Sequence, residues 1–230
     1  MIDCQENSGK IVVWDFNGTL LDDVDLCVSI LRDMLGRRGL PIVDRRRYLE
    51  VFGFPIIDYY RMAGFDFDRW PYEELALEFM DAYLPASLDT SLRPGVMEAL
   101  AAFASAGVRQ VMLSASNQEY LCLQAAHFGI DGYFEEMLGL SDIYGTGKAG
   151  IGQTWALRMR GSAPGPVKTP RIVLIGDTGH DCEVARAMGA GCVLACGGHN
   201  SLARLQDAGA DAVADSISDA AAAVRKLLDI

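Results

Sequence analysis

The sequence predicts an α/β fold: a parallel sheet covered by helices on both faces, with an all-helical domain inserted after the first strand. Three observations lead there. Short apolar runs recur at residues 11–14, 108–113, 172–175 and 192–196, with a weaker one at 136–140. Runs of this length suit strands buried on both faces. Helical patterns fill most intervals between them, and strands alternating with helices argue for a parallel sheet. From about residue 22 to residue 90 the alternation stops and only helical patterns remain.

Taken in order, Ile11-Val12-Val13-Trp14 leads directly into Asp15-Phe16-Asn17-Gly18-Thr19. In the helical stretch, Val24, Cys27, Val28, Leu31 and Leu35 form one apolar stripe, with Asp22 or Asp23 placed to cap it. Pro41 followed by Arg45-Arg46-Arg47-Tyr48-Leu49 suggests a second helix, and residues 55–62 and 71–84 suggest two more. Beyond Leu92-Arg93-Pro94-Gly95 a helix is expected over 94–106, with Val96, Leu100 and Phe103 on one face and Gly107 as its stop. Asn117 is placed to cap a helix over 117–128 that Gly129 ends. Helices at 148–160, 180–188 and 218–228 and a Gly/Pro-rich loop over 161–166 complete the pattern. The expected organisation is a core of residues 1–20 and 90–230 and a helical domain of residues 21–89.

Composition narrows the function classes. The chain has 230 residues, 50% hydrophobic and 22% charged, which is ordinary for a globular protein and unlike a disordered one. A formal net charge of -11 argues against nonspecific nucleic-acid or anionic-membrane binding. An anionic substrate must then be attracted locally, by a metal or a few cations. No apolar run approaches the roughly 18 residues of a membrane span, and Met1-Ile2-Asp3-Cys4-Gln5-Glu6 lacks the basic start and apolar stretch of a signal peptide. The six scattered cysteines read as reduced thiols of a cytoplasmic protein. Cys192 and Cys196 with His199 have the elements of a zinc site, but Cys192-Val193-Leu194-Ala195-Cys196 reads better as a buried strand.

Four segments fall at the C-terminal ends of predicted parallel strands, the edge where open α/β sheets bind ligands. Asp15 ends the first strand and Ser114 the second; Lys148 opens a helix after Tyr144-Gly145-Thr146-Gly147; Asp177 and Asp181 follow the Ile172–Ile175 run. Phosphate chemistry suits these residue types. A phosphate monoester repels a carboxylate nucleophile, and Mg²⁺, a hard cation with oxygen ligands, offsets that repulsion. Asp15 and Asp177 are suitable ligands, and Asp181 is placed to orient them. Lys148, one of four lysines in the chain, adds a point charge beside a transferring phosphoryl group. As a solvated lysine it would gain nothing from a helix N-terminus. The Ser114 hydroxyl and neighbouring N–H groups, at Ala115, Gly18 and Thr19, are candidate phosphate donors. Asp15 then attacks phosphorus, and water hydrolyses the aspartyl-phosphate. His180 and His127 are read as structural.

The order and spacing of these segments resemble the four motifs of the haloacid dehalogenase-like (HAD) hydrolases. The resemblance implies a Rossmann-like core with the helical insert as a cap domain, Mg²⁺ as cofactor and a small phosphorylated metabolite as substrate. It also implies that position 17 gives the metal its backbone carbonyl, so that Asp15, Asn17 and Asp177 form the metal set, Asp181 lies just behind it, and Asp15, Asn17 and Lys148 carry catalysis. Asp131-Gly132-Tyr133-Phe134 through Gly139, Ser141-Asp142 and Gly147-Lys148 resemble the phosphoglycolate phosphatase-like subgroup. Phe52-Gly53-Phe54-Pro55 resembles the cap loop that reaches into the site there. Arg45, Arg46, Arg47 and Arg61 are candidates for a second anionic group on the substrate, or else a solvated helix face.

The departure is Asn17, because the family's phosphatases usually read Asp-x-Asp-Gly-Thr. The second Asp protonates the leaving alkoxide and then takes a proton from water. An amide does neither, a loss on the order of 10²–10⁴-fold in rate. The loss should be largest for alkyl esters and smallest for acyl and aryl phosphates, which leave without help. Two other readings stay open: a phosphometabolite-binding protein with little turnover, and a haloacid dehalogenase. Family phosphonate hydrolases form a Schiff base on a cap lysine, and no lysine lies between Lys10 and Lys148.

Overall fold

The computed structural model describes residues 9–145, 147–161 and 171–230. Cys4, Thr146, Lys168 and the loop expected at 162–166 lie outside the described residues. In chain order, β1 (Lys10–Trp14) and β2 (Leu21–Asp22) precede four helices, α1 (Val24–Arg37), α2 (Arg45–Val51), α3 (Ile56–Ala63) and α4 (Tyr72–Ser87). Next come β3 (Ser91–Leu92), α5 (Val96–Ser105), β4 (Arg109–Asn117), α6 (Gln118–His127), β5 (Glu136–Leu140) and α7 (Ala149–Gly161). The chain closes with β6 (Arg171–Gly176), α8 (Gly179–Met188), β7 (Gly191–Ala195), α9 (Leu202–Asp207), β8 (Ala212–Ala214) and α10 (Ile217–Leu228).

Six strands form one parallel sheet in the order β5-β4-β1-β6-β7-β8. β1 lies between β4 and β6, so its side chains are buried on both faces, as an apolar run without polar alternation requires. The pleat sorts them. Val12 and Trp14 pack with Leu100, Phe103 and Val224 from α5 and α10, while Ile11 and Val13 pack with Trp155, Val184 and Met188 from α7 and α8. The expected parallel α/β architecture is what forms. The chain leaves β1 on one side for β4 and β5, then crosses to β6 on the other. That switch point opens a crevice at the strand ends, and it is where Asp15, Ser114 and Asp177 sit.

α1 to α4 bury a separate apolar cluster that includes Leu31, Met34, Tyr48, Tyr60 and Leu75. Its two connections to the sheet run side by side, as β2 pairs antiparallel with β3. Polar contacts seat the helices over the strand ends. Arg204 donates to the Leu49 carbonyl at 3.1 Å and the Phe52 carbonyl at 2.5 Å, and Asn200 Nδ2 donates to the Phe52 carbonyl at 3.2 Å. Tyr72 donates to the Tyr144 carbonyl at 2.5 Å, and the Ile56 N–H to the Gly145 carbonyl at 3.2 Å.

Local chemistry departs from the sequence expectations in three places. Asp23 stands at the N-cap of α1 but makes no side-chain capping bond there, since groups from distant parts of the chain claim its carboxylate. Ser114 does not end its strand: β4 continues to Asn117 through a register irregularity between Leu113 and Asn117. α9 and β8, of 6 and 3 residues, are elements that periodicity did not reveal. By contrast, Asn117 does cap α6, accepting from the Glu119 N–H at 3.0 Å.

Phe103 is fully buried, edge-on to Trp14 with ring centroids 6.0 Å apart. Phe103→Ala is expected to cost about 3–5 kcal/mol of stability, read as a lower urea midpoint at unchanged slope.

Candidate active site

The site is built on β1. The Asp15 N–H donates to the Ile175 carbonyl at 2.9 Å, which fixes the carboxylate beside the end of β6. Gly18 then turns the chain at φ 72°. A Cβ there would lie 2.4 Å from both Asp177 Oδ2 and the His199 ring, so only glycine fits. Arg93 donates to the Gly18 carbonyl at 2.7 Å and also to the Cys196 carbonyl, holding the turn from outside.

Asp15, Asp177 and Asp181 are buried, and one oxygen from each lies within 4.8 Å of the others. The Lys148 ammonium enters this group. It pairs with Asp15 Oδ1, lies 2.8 Å from Asp181 Oδ1 and donates to the Leu113 carbonyl at 3.1 Å. Burial alone would lower the lysine's pKa, but Asp15 and Asp181 outweigh it and hold the ammonium charged. Burial pushes Asp15 well up, with Lys148 opposing, and it also raises Asp177. On Asp181 the effect of burial is outweighed by Lys148, and the carboxyl is held down.

Thr19 Oγ1 bridges Asp15 Oδ2 at 3.1 Å and Asp177 Oδ1 at 2.9 Å. Asp181 is a positioning group: its Oδ2 accepts from the Asp177 N–H at 3.2 Å, the Thr178 N–H at 3.0 Å and the Thr178 hydroxyl at 2.7 Å. Three carboxylates against one ammonium leave an excess of buried negative charge, which is costly unless a cation joins it. The donors are all oxygen, so the set fits a hard divalent ion.

Asn17 is locked by its surroundings. Its Nδ2 donates to Asp23 Oδ2 at 2.9 Å and to the Tyr83 hydroxyl at 2.6 Å. Its Oδ1 accepts from Ser116 Oγ at 2.7 Å and faces Ser114 Oγ at 3.4 Å. Behind it lies a buried pair, with His199 Nε2 at 3.2 Å from Asp23 Oδ1 and His199 Nδ1 at 2.8 Å from the Tyr48 hydroxyl. Burial opposes both charges, but the pairing prevails, so Asp23 is held below and His199 above its ordinary range. Cys27, close to both, completes a second potential ligand cluster. Bonds to Asn17, Tyr83, Gly18 and His199 already occupy the Asp23 carboxylate.

Two expected phosphate donors are turned elsewhere. The Gly18 N–H donates to Asp23 Oδ1 at 2.9 Å and the Thr19 N–H to the Phe16 carbonyl at 3.3 Å, while the Thr19 hydroxyl serves the two carboxylates. Ser114, Ala115 and Lys148 do line the pit above Asp15, a volume of about 30 Å³. His180 is bonded to Glu183 at 3.1 Å and tilted against Phe54 with centroids 4.8 Å apart. His127 contacts the Leu88 carbonyl at 2.9 Å, away from the site. Cys192 faces Cys182 with sulfurs 3.1 Å apart, while His199 faces Asp23.

A larger cavity of about 130 Å³ under the helical insert shares Asn17, Phe52, Phe54, Ala115 and His199 with the pit as lining residues. Phe52 stacks on His199 with centroids 4.5 Å apart, between the two spaces. The sequence did not point to Asp23, Tyr83, His199 or Ser116. The one available signal was Asp23 itself, an acid six residues after Asn17 that reads more simply as a helix cap.

The chain belongs to the haloacid dehalogenase-like hydrolases, whose family model matches residues 12–195. It is 27% identical over 183 residues to the tyrosine-protein kinase PtkA of Mycobacterium tuberculosis, and this covers 79% of the chain but only 60% of that relative's length. It is 25% identical over 198 residues to a phosphoglycolate phosphatase of Pseudomonas savastanoi pv. phaseolicola, covering 83% and 71%. Among solved structures, a haloacid dehalogenase-like hydrolase (SP0104) from Streptococcus pneumoniae superposes with a TM-score of 0.76 at 20% identity, over 94% of this chain and 98% of that one. No helix of the described residues is long and apolar enough to cross a membrane.

The Asn17–Asp23 bond requires a donor at position 17. N17D would bury a second carboxylate against Asp23, at an expected cost of about 1–3 kcal/mol at pH 8. The cost should shrink as pH falls, because the raised carboxyl pKa lets the folded state take up a proton that restores the donor. Thermal melts of N17D and the unaltered protein at low and high pH test this: the difference in Tm should be smaller at low pH.

Proposed function

We propose that this chain is a Mg²⁺-dependent phosphatase that hydrolyses a small phosphorylated metabolite through a phosphoryl group carried on Asp15. The observation that supports it most is the buried Asp15–Lys148–Asp181 arrangement at the switch point, with Asp177 beside it. Asp15 and Asp177, with the Asn17 carbonyl, would hold the ion. Bound Mg²⁺ supplies the charge that lets an anionic phosphate approach a carboxylate. Everything else falls to the protein. Lys148 orients the Asp15 carboxylate and neutralises charge on the transferring group. Ser114 and the Ala115 region line the phosphate's side of the pit. An Asp15 oxygen attacks phosphorus and the ester oxygen leaves; water then attacks the same phosphorus, freeing phosphate and Asp15.

Relatives named as phosphoglycolate phosphatases support the ester-hydrolysis reading, and one named as a tyrosine kinase also handles phosphoryl groups. A net charge of -11 supports a small-molecule partner over nucleic acid or membrane. The buried free thiols Cys27, Cys182 and Cys192 support a reducing compartment, the cytoplasm.

A second reading follows from Asn17. Its side-chain amide is fully engaged and cannot exchange protons, which favours a phosphometabolite-binding protein with little turnover. A dehalogenase, which needs no metal, leaves the carboxylates around Lys148 without a purpose.

Hydrolysis of p-nitrophenyl phosphate separates the three. Under the phosphatase reading, release needs Mg²⁺, stops with EDTA, returns with added Mg²⁺ and falls to background in D15N. Retained binding of a phosphate analogue without release supports the binder, and metal-free halide release from a 2-haloacid supports the dehalogenase.

A further inference from the structure

The cavity beyond Asn17 has a composition that the phosphatase reading does not explain. Phe54, Tyr59, Tyr60, Tyr72, Phe79 and Met80 dominate its walls. Among the described residues no arginine or lysine lines it; its charged groups, Asp23 and His199, are spent on each other. The arginines considered for a second anionic group turn outward. Arg45 pairs with Asp25 at 2.9 Å and Arg61 with Asp58 at 2.6 Å, both on the surface, and Arg46 and Arg47 are exposed. A second anionic group on the substrate would therefore enter an apolar space, beside Asp23, with no cation to meet it, which is costly.

Size points the same way. A dry apolar cavity of about 150 Å³ accepts one benzene ring, and this one measures about 130 Å³.

The third observation is independent of the cavity's shape. Asn17 lines both pit and cavity, and its side-chain amide, bonded to Asp23 and Tyr83, cannot protonate a leaving group. An aryloxide leaves without a proton, whereas an alkoxide needs one. Both the wall chemistry and the missing acid select the same kind of ester.

We propose that the substrates of this site are aryl phosphates, with one neutral aromatic ring in the cavity under the helical insert and the phosphate in the pit over Asp15. This rests on the phosphatase reading. Asp15 bonds to phosphorus as the aryl C–O–P linkage breaks at its P–O bond, and the phenolate departs and takes its proton from solvent. Water then cleaves the acyl phosphate, so atoms and charge balance with water as the only co-reactant.

The test compares phenyl phosphate, benzyl phosphate and phosphoglycolate with Mg²⁺ present. Phenyl and benzyl phosphate should bind D15N with a similar Kd, since both place a ring in the cavity. Phenyl phosphate should exceed benzyl phosphate in kcat/KM by about 10²-fold or more, for want of a leaving-group acid. Phosphoglycolate should be the poorest by kcat/KM. Met80→Arg, at a half-buried wall position, should raise the KM for phenyl phosphate about 10-fold and improve phosphoglycolate. Phosphoglycolate equal to or better than phenyl phosphate in the unaltered protein overturns the proposal while leaving a phosphatase in place. If no ester turns over, the phosphatase reading fails, and calorimetry with phenylphosphonate and phosphonoacetate decides this proposal alone. Tighter phenylphosphonate sustains it; equal or tighter phosphonoacetate, or binding of neither, overturns it.

Discussion

The ammonium of Lys148 is the contact on which the rest of the site depends. It joins Asp15 after β1, the Leu113 carbonyl in β4 and Asp181 in α8, from a position just before α7. It offsets the mutual repulsion of three buried carboxylates whose oxygens lie within 4.8 Å of one another. Removing one partner of such a buried ion pair leaves the others uncompensated, at about 3–5 kcal/mol. The arrangement carries less positive charge than negative, an imbalance that the proposed cation would offset. Close approach of backbone completes it: a Cβ at Gly176 would fall 2.2 Å from the Asp181 carboxyl carbon, so Asp181 can reach back over β6 only past a glycine.

Around this centre, Asn17 belongs to a second, mostly neutral network. Both faces of its amide are used: the donor side by Asp23 and Tyr83, the acceptor side by Ser116. The Asp23–His199 pair behind it anchors the Asp177 loop as well, since the His199 N–H donates to Asp177 Oδ2 at 2.5 Å. The amide is therefore a component that its neighbours fit, and an isolated change of one letter would disturb them. Chemistry at the ester oxygen then depends on the leaving group, and the shape of the cavity depends on the aromatic residues of the insert. One residue links the two.

Much of the fold was legible in the sequence. The apolar runs at β1, β4, β6 and β7 are long enough and uniform enough to mark buried parallel strands. The glycines after α5, α6 and α8 marked the helix ends, as at Gly189, where the backbone turns left-handed at φ 62°. β8 was not legible because Ala-Val-Ala is too short to show a period, and its strand character comes from pairing with β7. In the site, Asp15, Asp177, Asp181 and Lys148 were readable because each follows or precedes a recognisable element. Asp23 and His199 were not, because their meaning lies in a contact across 176 residues of chain that no local pattern records. The arginine run left two readings open, and its exposure agrees with the solvated face: a run of cations says nothing about which side of a short helix faces the cavity.

The central claim is that Asp15 takes the phosphoryl group and that Asn17 exchanges no proton with either the leaving group or the attacking water. Breakdown of the aspartyl-phosphate then lacks a general base and is the slow step for any substrate that leaves unaided. The most direct measurement is a rapid-mixing time course with p-nitrophenyl phosphate and Mg²⁺, followed by borohydride reduction and peptide mass analysis. The account predicts a burst of one p-nitrophenolate per chain, then a slower steady rate, with the reduced residue at position 15. A linear course with no burst, or a phosphorylated residue elsewhere, would contradict it.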